Sequence, residues 1–185
     1  MVLVSRGEGL GMIEIKDNFL DQHEFNMLQN NIMGSSFPWY YNSAITVPCS
    51  DDLPEEKDKF QFVHVFYENC IPGPSAEVIN PIITKMAPIL LWRIKANLLT
   101  KTPNIVENKF HVDVFAGELK VREQLTTSIF YVNTNNGYTK FEDGSKIESV
   151  ANRLLSFPSN MKHTGTSCTD EKIRIVINFN YLKMV

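Results

Sequence analysis

Along much of the chain apolar and polar positions alternate with a period of two, as strands do when their faces meet different surroundings. Residues 12–19, MIEIKDNF, set Ile13 and Ile15 against Glu14 and Lys16 and predict a short first strand. FQFVHVFYENC places Phe60, Phe62, His64 and Phe66 on one side and Gln61, Val63, Val65 and Tyr67 on the other, a strand covered on both faces. LLWRIKANLL, residues 90–99, predicts a long strand, and the β-branched and aromatic run LTTSIFYVN, residues 125–133, another. Asn136-Gly137 is a hairpin signal, so NTNNGY predicts a turn. YTKF, KIESV and RLLSFP then predict short strands separated by EDGS and Ala151-Asn152. The last strand, IRIVINFNYL, opposes Arg174, Val176, Asn178 and Asn180 to Ile173, Ile175, Ile177, Phe179 and Tyr181. A largely polar face backed by an apolar one predicts that the polar face lines a cavity.

Helical periodicity is confined to the first half. Phe25, Leu28 and Ile32 recur at helical spacing in QHEFNMLQNNIM, with Asp21 as cap, Glu24 completing a capping box and Leu20 placed to pack on Phe25. His23 falls on the polar side. Ser75 can cap the helix AEVINPIITKMAPIL, which Pro81 and Pro88 predict to be short or kinked. FPWYYN predicts aromatic packing at the start of a strand, and SDDLPEEKDK a solvated loop. The sum is one domain, residues 1–185, of mainly β (α+β) class: an antiparallel double-sheet roll with N-terminal helices packed on the outside of the major sheet.

Composition narrows the class. The 185 residues are 43% hydrophobic, enough for one buried core, and the net charge of −3 offers no general basic surface for nucleic acid. Cys49, Cys70 and Cys168 are widely spaced and form no C-x-x-C, which points away from a disulfide framework or a structural zinc. The opening MVLVSRGEGLGM is broken by charge and glycine, unlike a signal peptide, and no stretch reaches the roughly 20 apolar residues of a membrane helix. A soluble cytoplasmic protein is expected.

The candidate chemistry lies in FHVDVF, residues 110–115. On a strand His111 and Asp113 share a face. His163 follows Asp113 by 50 residues and Arg174 follows His163 by 11. Two histidines and one carboxylate are the facial ligand set that leaves open positions on non-haem Fe(II), and an Arg beyond them can grip a carboxylate as a bidentate fork. FAGELKVREQ, after the pair, reads as either a mobile lid or a hairpin loop. His64 and Trp39 are candidate substrate contacts, with core packing as the alternative.

HVD, TTSIFYVN, GYTKF, RLLSFP, KHTG and RIVINF, in that order over residues 90–182, resemble the catalytic core of the Fe(II)/2-oxoglutarate-dependent dioxygenases, within them the prolyl-4-hydroxylase-like branch with its short bacterial and phage-type members. The resemblance implies a double-stranded β-helix of jelly-roll, cupin-like type. It makes His111, Asp113 and His163 the catalytic metal ligands and Arg174 the partner of the 2-oxoglutarate C5 carboxylate. Tyr131 and Asn178 fall at positions near the cosubstrate. It further implies Fe(II), 2-oxoglutarate and O2 as cofactor and cosubstrates, ascorbate as reductant, and hydroxylation with release of succinate and CO2. Two features depart from the pattern: Asn136-Gly137 stands where relatives have Gly-Gly, and KANLLTKTPN lacks the Tyr that prolyl hydroxylases place before the His-x-Asp, leaving Asn97 or Leu99 in that space. The expected substrate is a peptidyl or protein residue. The alternatives are a small molecule or free amino acid as substrate, or a metal-binding jelly-roll module without turnover. Ile129 and Val176 are expected as apolar walls of the site.

Overall fold

Ile13 and Ile15 turn out to belong to a strand at one side of a large antiparallel sheet, and the reason is the sheet's order rather than the strand's own strength. The computed structural model describes residues 2–4, 13–45, 59–113 and 124–183. Within these the elements are β1 (Val2–Val4), β2 (Ile13–Lys16), α1 (Gln22–Ile32), β3 (Tyr40–Asn42), β4 (Gln61–Glu68), β5 (Ile71–Pro72), α2 (Asn80–Met86), β6 (Leu90–Thr100), β7 (Leu125–Tyr131), β8 (Asn135–Phe141), β9 (Lys146–Ser149), β10 (Arg153–Pro158), β11 (His163–Gly165) and β12 (Ile173–Leu182). The major sheet runs β1-β2-β10-β7-β12-β6-β4-β3, with β5 beside β4; the minor sheet runs β11-β8-β9. This is the expected double-stranded β-helix, mainly β, with both helices on the outer face of the major sheet.

Alternation along β12 divides the interior. Ile175, Ile177 and Phe179 point outward to meet Phe25, Leu28 and Ile32 of α1 and Phe130 of β7 in one apolar cluster. Val176 points inward and joins Ile129, Tyr131, Phe141, Leu155 and Phe157 between the sheets. The cap of α1 is as expected: Asp21 Oδ1 accepts from the Glu24 amide at 2.9 Å. Asn152, at φ 62, ties this helix down from the other end of the sequence. Its side chain accepts from Leu20 N at 2.8 Å and donates to Leu20 O at 2.9 Å.

Three local expectations are corrected. Ser75 makes no side-chain cap; a 3-10 turn, Ala76–Ile79, leads into α2, and Pro81 sits in the first turn, where its missing N–H leaves no bond unmade. Asn136-Gly137 is not a hairpin turn but lies within β8, where the register against β9 shifts between Asn135 and Tyr138. Asn135 Oδ1 takes the Gly137 amide at 3.0 Å, and Asp170 takes that of Asn136, so side chains satisfy the irregular backbone. The segment around His111 is not a strand either: the described part has a single bridge, His111 to His163.

Cys70 and Cys168 are free thiols; Cys49, residues 115–123 of FAGELKVREQ and all but Lys59 of SDDLPEEKDK lie outside the described residues. No helix among the described residues is long and apolar enough to cross a membrane.

Candidate metal centre and adjoining pocket

The two imidazoles arrive on partnered backbones. His111 N donates to His163 O at 2.9 Å and His163 N to His111 O at 3.0 Å, so the rings stand side by side with centroids 4.9 Å apart. β11 is held in turn by β8, with His163 opposite Phe141. Each ring has its Nδ1 against a carbonyl, Lys109 O at 3.0 Å for His111 and Met161 O at 3.2 Å for His163. A carbonyl can only accept, so Nδ1 carries the proton and Nε2 is left with its lone pair.

Asp113 faces both lone pairs, with Oδ1 3.7 Å from His111 Nε2 and Oδ2 3.9 Å from His163 Nε2. One ligand atom from each of the three lies within 4.8 Å of the others. Two bonds of about 2.1 Å can bridge up to about 4.2 Å, so both carboxylate–imidazole separations suit a shared ion. Burial alone would raise the Asp113 carboxyl, but His163, His111 and the Asn180 amide outweigh it and hold it below the usual range. Burial pushes His163 down, against the pull of Asp113. The result is an ionised carboxylate beside a neutral imidazole, the protonation states a divalent metal requires. Asn178 and Asn180 donate to Asp113 Oδ1 and Oδ2, each at 3.4 Å.

Arg174 enters the same pocket from β12. It is 3% exposed, its Nε donates to Ser149 Oγ at 2.9 Å, and its Nη2 is buried with no partner. No carboxylate among the described residues pairs with it. Burial lowers its pKa, and a carboxylate brought to it would reverse that effect. A Cβ on Gly137 would lie 2.7 Å from Arg174 Cδ and 2.7 Å from Ser167 O. Gly137 thus serves close packing around the guanidinium, not turn geometry.

Beside Arg174 Nη2, the buried side-chain polar atoms without partners among the described residues are His163 Nε2, Asn178 Oδ1 and Asn108 Oδ1. All four residues line one pocket. Buried polar atoms are normally satisfied, so such a concentration marks a place for polar ligands. The donor set of two imidazoles and a carboxylate fits non-haem Fe(II), and the unpaired guanidinium fits the far end of a diacid.

Of the other expected residues, Asn97, Asn178, Leu99, Ile129 and Val176 line this pocket. Tyr131 stands behind it: its hydroxyl donates to Thr139 Oγ1 at 2.8 Å, and Thr139 is the residue that reaches the pocket. His64 and Trp39 are not brought there. His64 alternates with Val63 and Val65, which pair with the pocket-facing Asn97 and Lys95, so its ring points to the helix side. There it packs on Phe37 and Phe66, with both ring nitrogens against carbonyls, Pro38 O at 2.8 Å and Pro74 O at 3.0 Å. Trp39 lies on the same side, with Nε1 donating to Ile32 O at 3.3 Å. His23 is exposed on α1.

Lys95, Gln61, Asn108 and Thr139 of the pocket, and Ser149 behind Arg174, carry no motif of their own. Lys95 had one signal, its position two before Asn97 on one strand face.

No family model matches the chain, and no curated protein matches it. Solved structures do. A prolyl-4-hydroxylase from Pseudomonas putida is 14% identical, with 95% of this chain and 94% of that one covered and a TM-score of 0.61. A prolyl hydroxylase from Trichoplax adhaerens, in complex with a hypoxia inducible factor oxygen degradation domain peptide fragment, is 12% identical over 92% and 83%, with a TM-score of 0.63. The viral collagen prolyl hydroxylase of Paramecium Bursaria Chlorella virus-1, as its 2-oxoglutarate complex, is 16% identical over 94% and 96%, with a TM-score of 0.56. The chain has the fold of these prolyl hydroxylase-like 2-oxoglutarate oxygenases; at such identities the likeness is one of fold.

Proposed function

We propose that this chain is an Fe(II)- and 2-oxoglutarate-dependent dioxygenase in which His111, Asp113 and His163 hold the metal and Arg174 holds the far carboxylate of 2-oxoglutarate. The observation that carries this reading is the pairing of three converging ligand atoms with a buried, unpaired guanidinium in one pocket. Fe(II) with 2-oxoglutarate and O2 supplies the oxidation of a substrate C–H bond, with release of succinate and CO2. The chain's own residues bind, orient and shield. Asp113 contributes the one negative charge to the metal and is steadied by Asn178 and Asn180. The Lys109 and Met161 carbonyls fix the imidazole tautomers. Ile129 and Val176, 3% and 7% exposed, form apolar wall that limits water near the reacting atoms.

Likeness in fold to prolyl hydroxylases, one of them in complex with a peptide fragment, supports a peptidyl residue as substrate. A small acid or free amino acid is the second reading, favoured by a cation in the pocket, Lys95. Succinate release from 2-oxoglutarate in the presence of Fe(II) and ascorbate, over a panel of prolyl peptides and free amino acids, tests the proposal. Turnover should disappear in His111→Ala and Arg174→Ala. Turnover that survives both changes would remove the assignment, and metal binding with no succinate from any panel member would leave a non-catalytic metal module.

A further inference from the structure

Lys95 is placed on β6 by pairing that is unambiguous. It lies opposite Asn178 of β12 and opposite Val65 of β4, on the sheet face shared with Asn97 and Leu99. Asn178 is the residue that donates to Asp113. The lysine therefore stands level with the proposed metal, whereas Arg174 lies opposite Leu99, four residues further along, or about 13 Å of strand.

Its ammonium makes no hydrogen bond or ion pair with the described residues. The nearest alternatives are committed elsewhere: Glu68 pairs with Arg93 at 3.2 Å, and Asp113 faces the two imidazoles. Burial first, then the charge of Arg93, pull Lys95 down to about 8, while Asp113 and Glu68 act the other way. A half-buried ammonium kept unpaired in a pocket is unfavourable on its own account, and an anion arriving beside it removes the penalty.

The charges of the pocket identify where that anion comes from. Among the described residues its charged lining is Lys95, Asp113 and Arg174, which sum to a single positive charge with neutral imidazoles. A divalent metal and a dianionic 2-oxoglutarate cancel one another. On the dioxygenase reading Arg174 would hold the diacid's far carboxylate and the metal its near end, so that among the described lining residues one positive charge would be left over, at Lys95. A peptide passing through offers a neutral backbone, whereas a free acid offers one negative charge.

We infer that Lys95, with the Asn97 amide beside it, anchors a carboxylate of the primary substrate, and that this substrate is a free amino acid or similar small carboxylic acid. The inference rests on the dioxygenase reading above.

Anaerobic calorimetry on the full chain loaded with Fe(II) and 2-oxoglutarate tests it, using free L-amino acids and short carboxylic acids, each against its own carboxamide. At least one acid should bind about tenfold or more tighter than its amide and should stimulate succinate release once O2 is admitted. Lys95→Met should abolish that acid-over-amide preference and leave 2-oxoglutarate affinity within about twofold, while Lys95→Arg should keep part of the preference. Circular dichroism of each variant confirms that it is folded. Equal binding of acid and amide, binding of peptides with no acid bound, or a Lys95→Met variant that loses 2-oxoglutarate affinity instead would overturn the inference. A wild-type chain that binds no 2-oxoglutarate would remove the dioxygenase reading itself, and the inference with it.

Discussion

His111 and His163 exchange both backbone hydrogen bonds across a gap of 52 residues in the chain. The metal site is thereby built into the backbone of the fold: the two rings cannot separate without breaking this bridge, which the Asn108 amide, donating to Gly165 O at 3.2 Å, supports from further along β11. Each ring is further fixed by a carbonyl two residues before it in its own chain, so orientation and tautomer are set locally while proximity is set by pairing.

Asp113→Asn should weaken Fe(II) binding by about tenfold or more, because it removes the only negative charge among the three ligands. Metal added at about 100 times the wild-type dissociation constant should stabilise the wild type by about 2.7 kcal/mol, an effect that tenfold weaker binding should cut to about 1.4 kcal/mol at the same concentration. Thermal unfolding with Mn(II) in place of Fe(II) measures both, and equal shifts would count against the ligand role of Asp113.

Arg174→Gln should raise the KM for 2-oxoglutarate by about 10- to 150-fold, as expected for a charged hydrogen bond of about 1.5–3 kcal/mol. Succinate release as a function of 2-oxoglutarate concentration is the measurement; an unchanged KM would place the diacid elsewhere.

Gly137→Ala should destabilise the fold by about 1–3 kcal/mol, since its Cβ would lie 2.7 Å from both Arg174 Cδ and Ser167 O. Gly165→Ala is the control: the new Cβ would lie 3.5 Å from Arg174 Nη1, an ordinary contact. Urea unfolding of the two variants should separate them, with the first also weaker for 2-oxoglutarate.

Asn152→Ala should be among the most damaging changes away from the pocket, costing about 2–4 kcal/mol. It strands the Leu20 N–H and carbonyl inside the protein and forces alanine to φ 62. Asn152→Gly relieves the second effect alone, so it should recover part of the loss in urea unfolding.

Burial, and then the charge of Arg93, hold Lys95 in the folded chain down at about 8, below its ordinary 10.5. Between these the unfolded chain binds more protons than the folded one, so stability rises with pH across that window. Relative to Lys95→Met, the wild type should gain stability from pH 8 to 10.5, in the setting of Arg93, Asp113 and Glu68. Urea midpoints at the two ends measure it, and parallel pH curves would show that the lysine is solvated.

What the chain's own order determined is what depends on neighbours a few residues apart. The alternation of Arg174, Val176 and Asn178 against Ile175, Ile177 and Phe179 made β12 a two-faced strand, and Asp21 capped α1 as its spacing demanded. Tertiary structure decided what no spacing contains. A period of two says which residues of β4 share a face, but both faces are covered, and only pairing with β6 sent His64 to the helix side and Gln61 to the pocket. Asn136-Gly137 has turn chemistry, yet Arg174 and Ser167 claimed the space beside that glycine and kept it within a strand. Lys95 is one charged residue in a strand until β12 sets it opposite Asn178. Charge, burial and the lack of a partner are properties of a neighbourhood, and that neighbourhood is assembled from segments far apart in sequence.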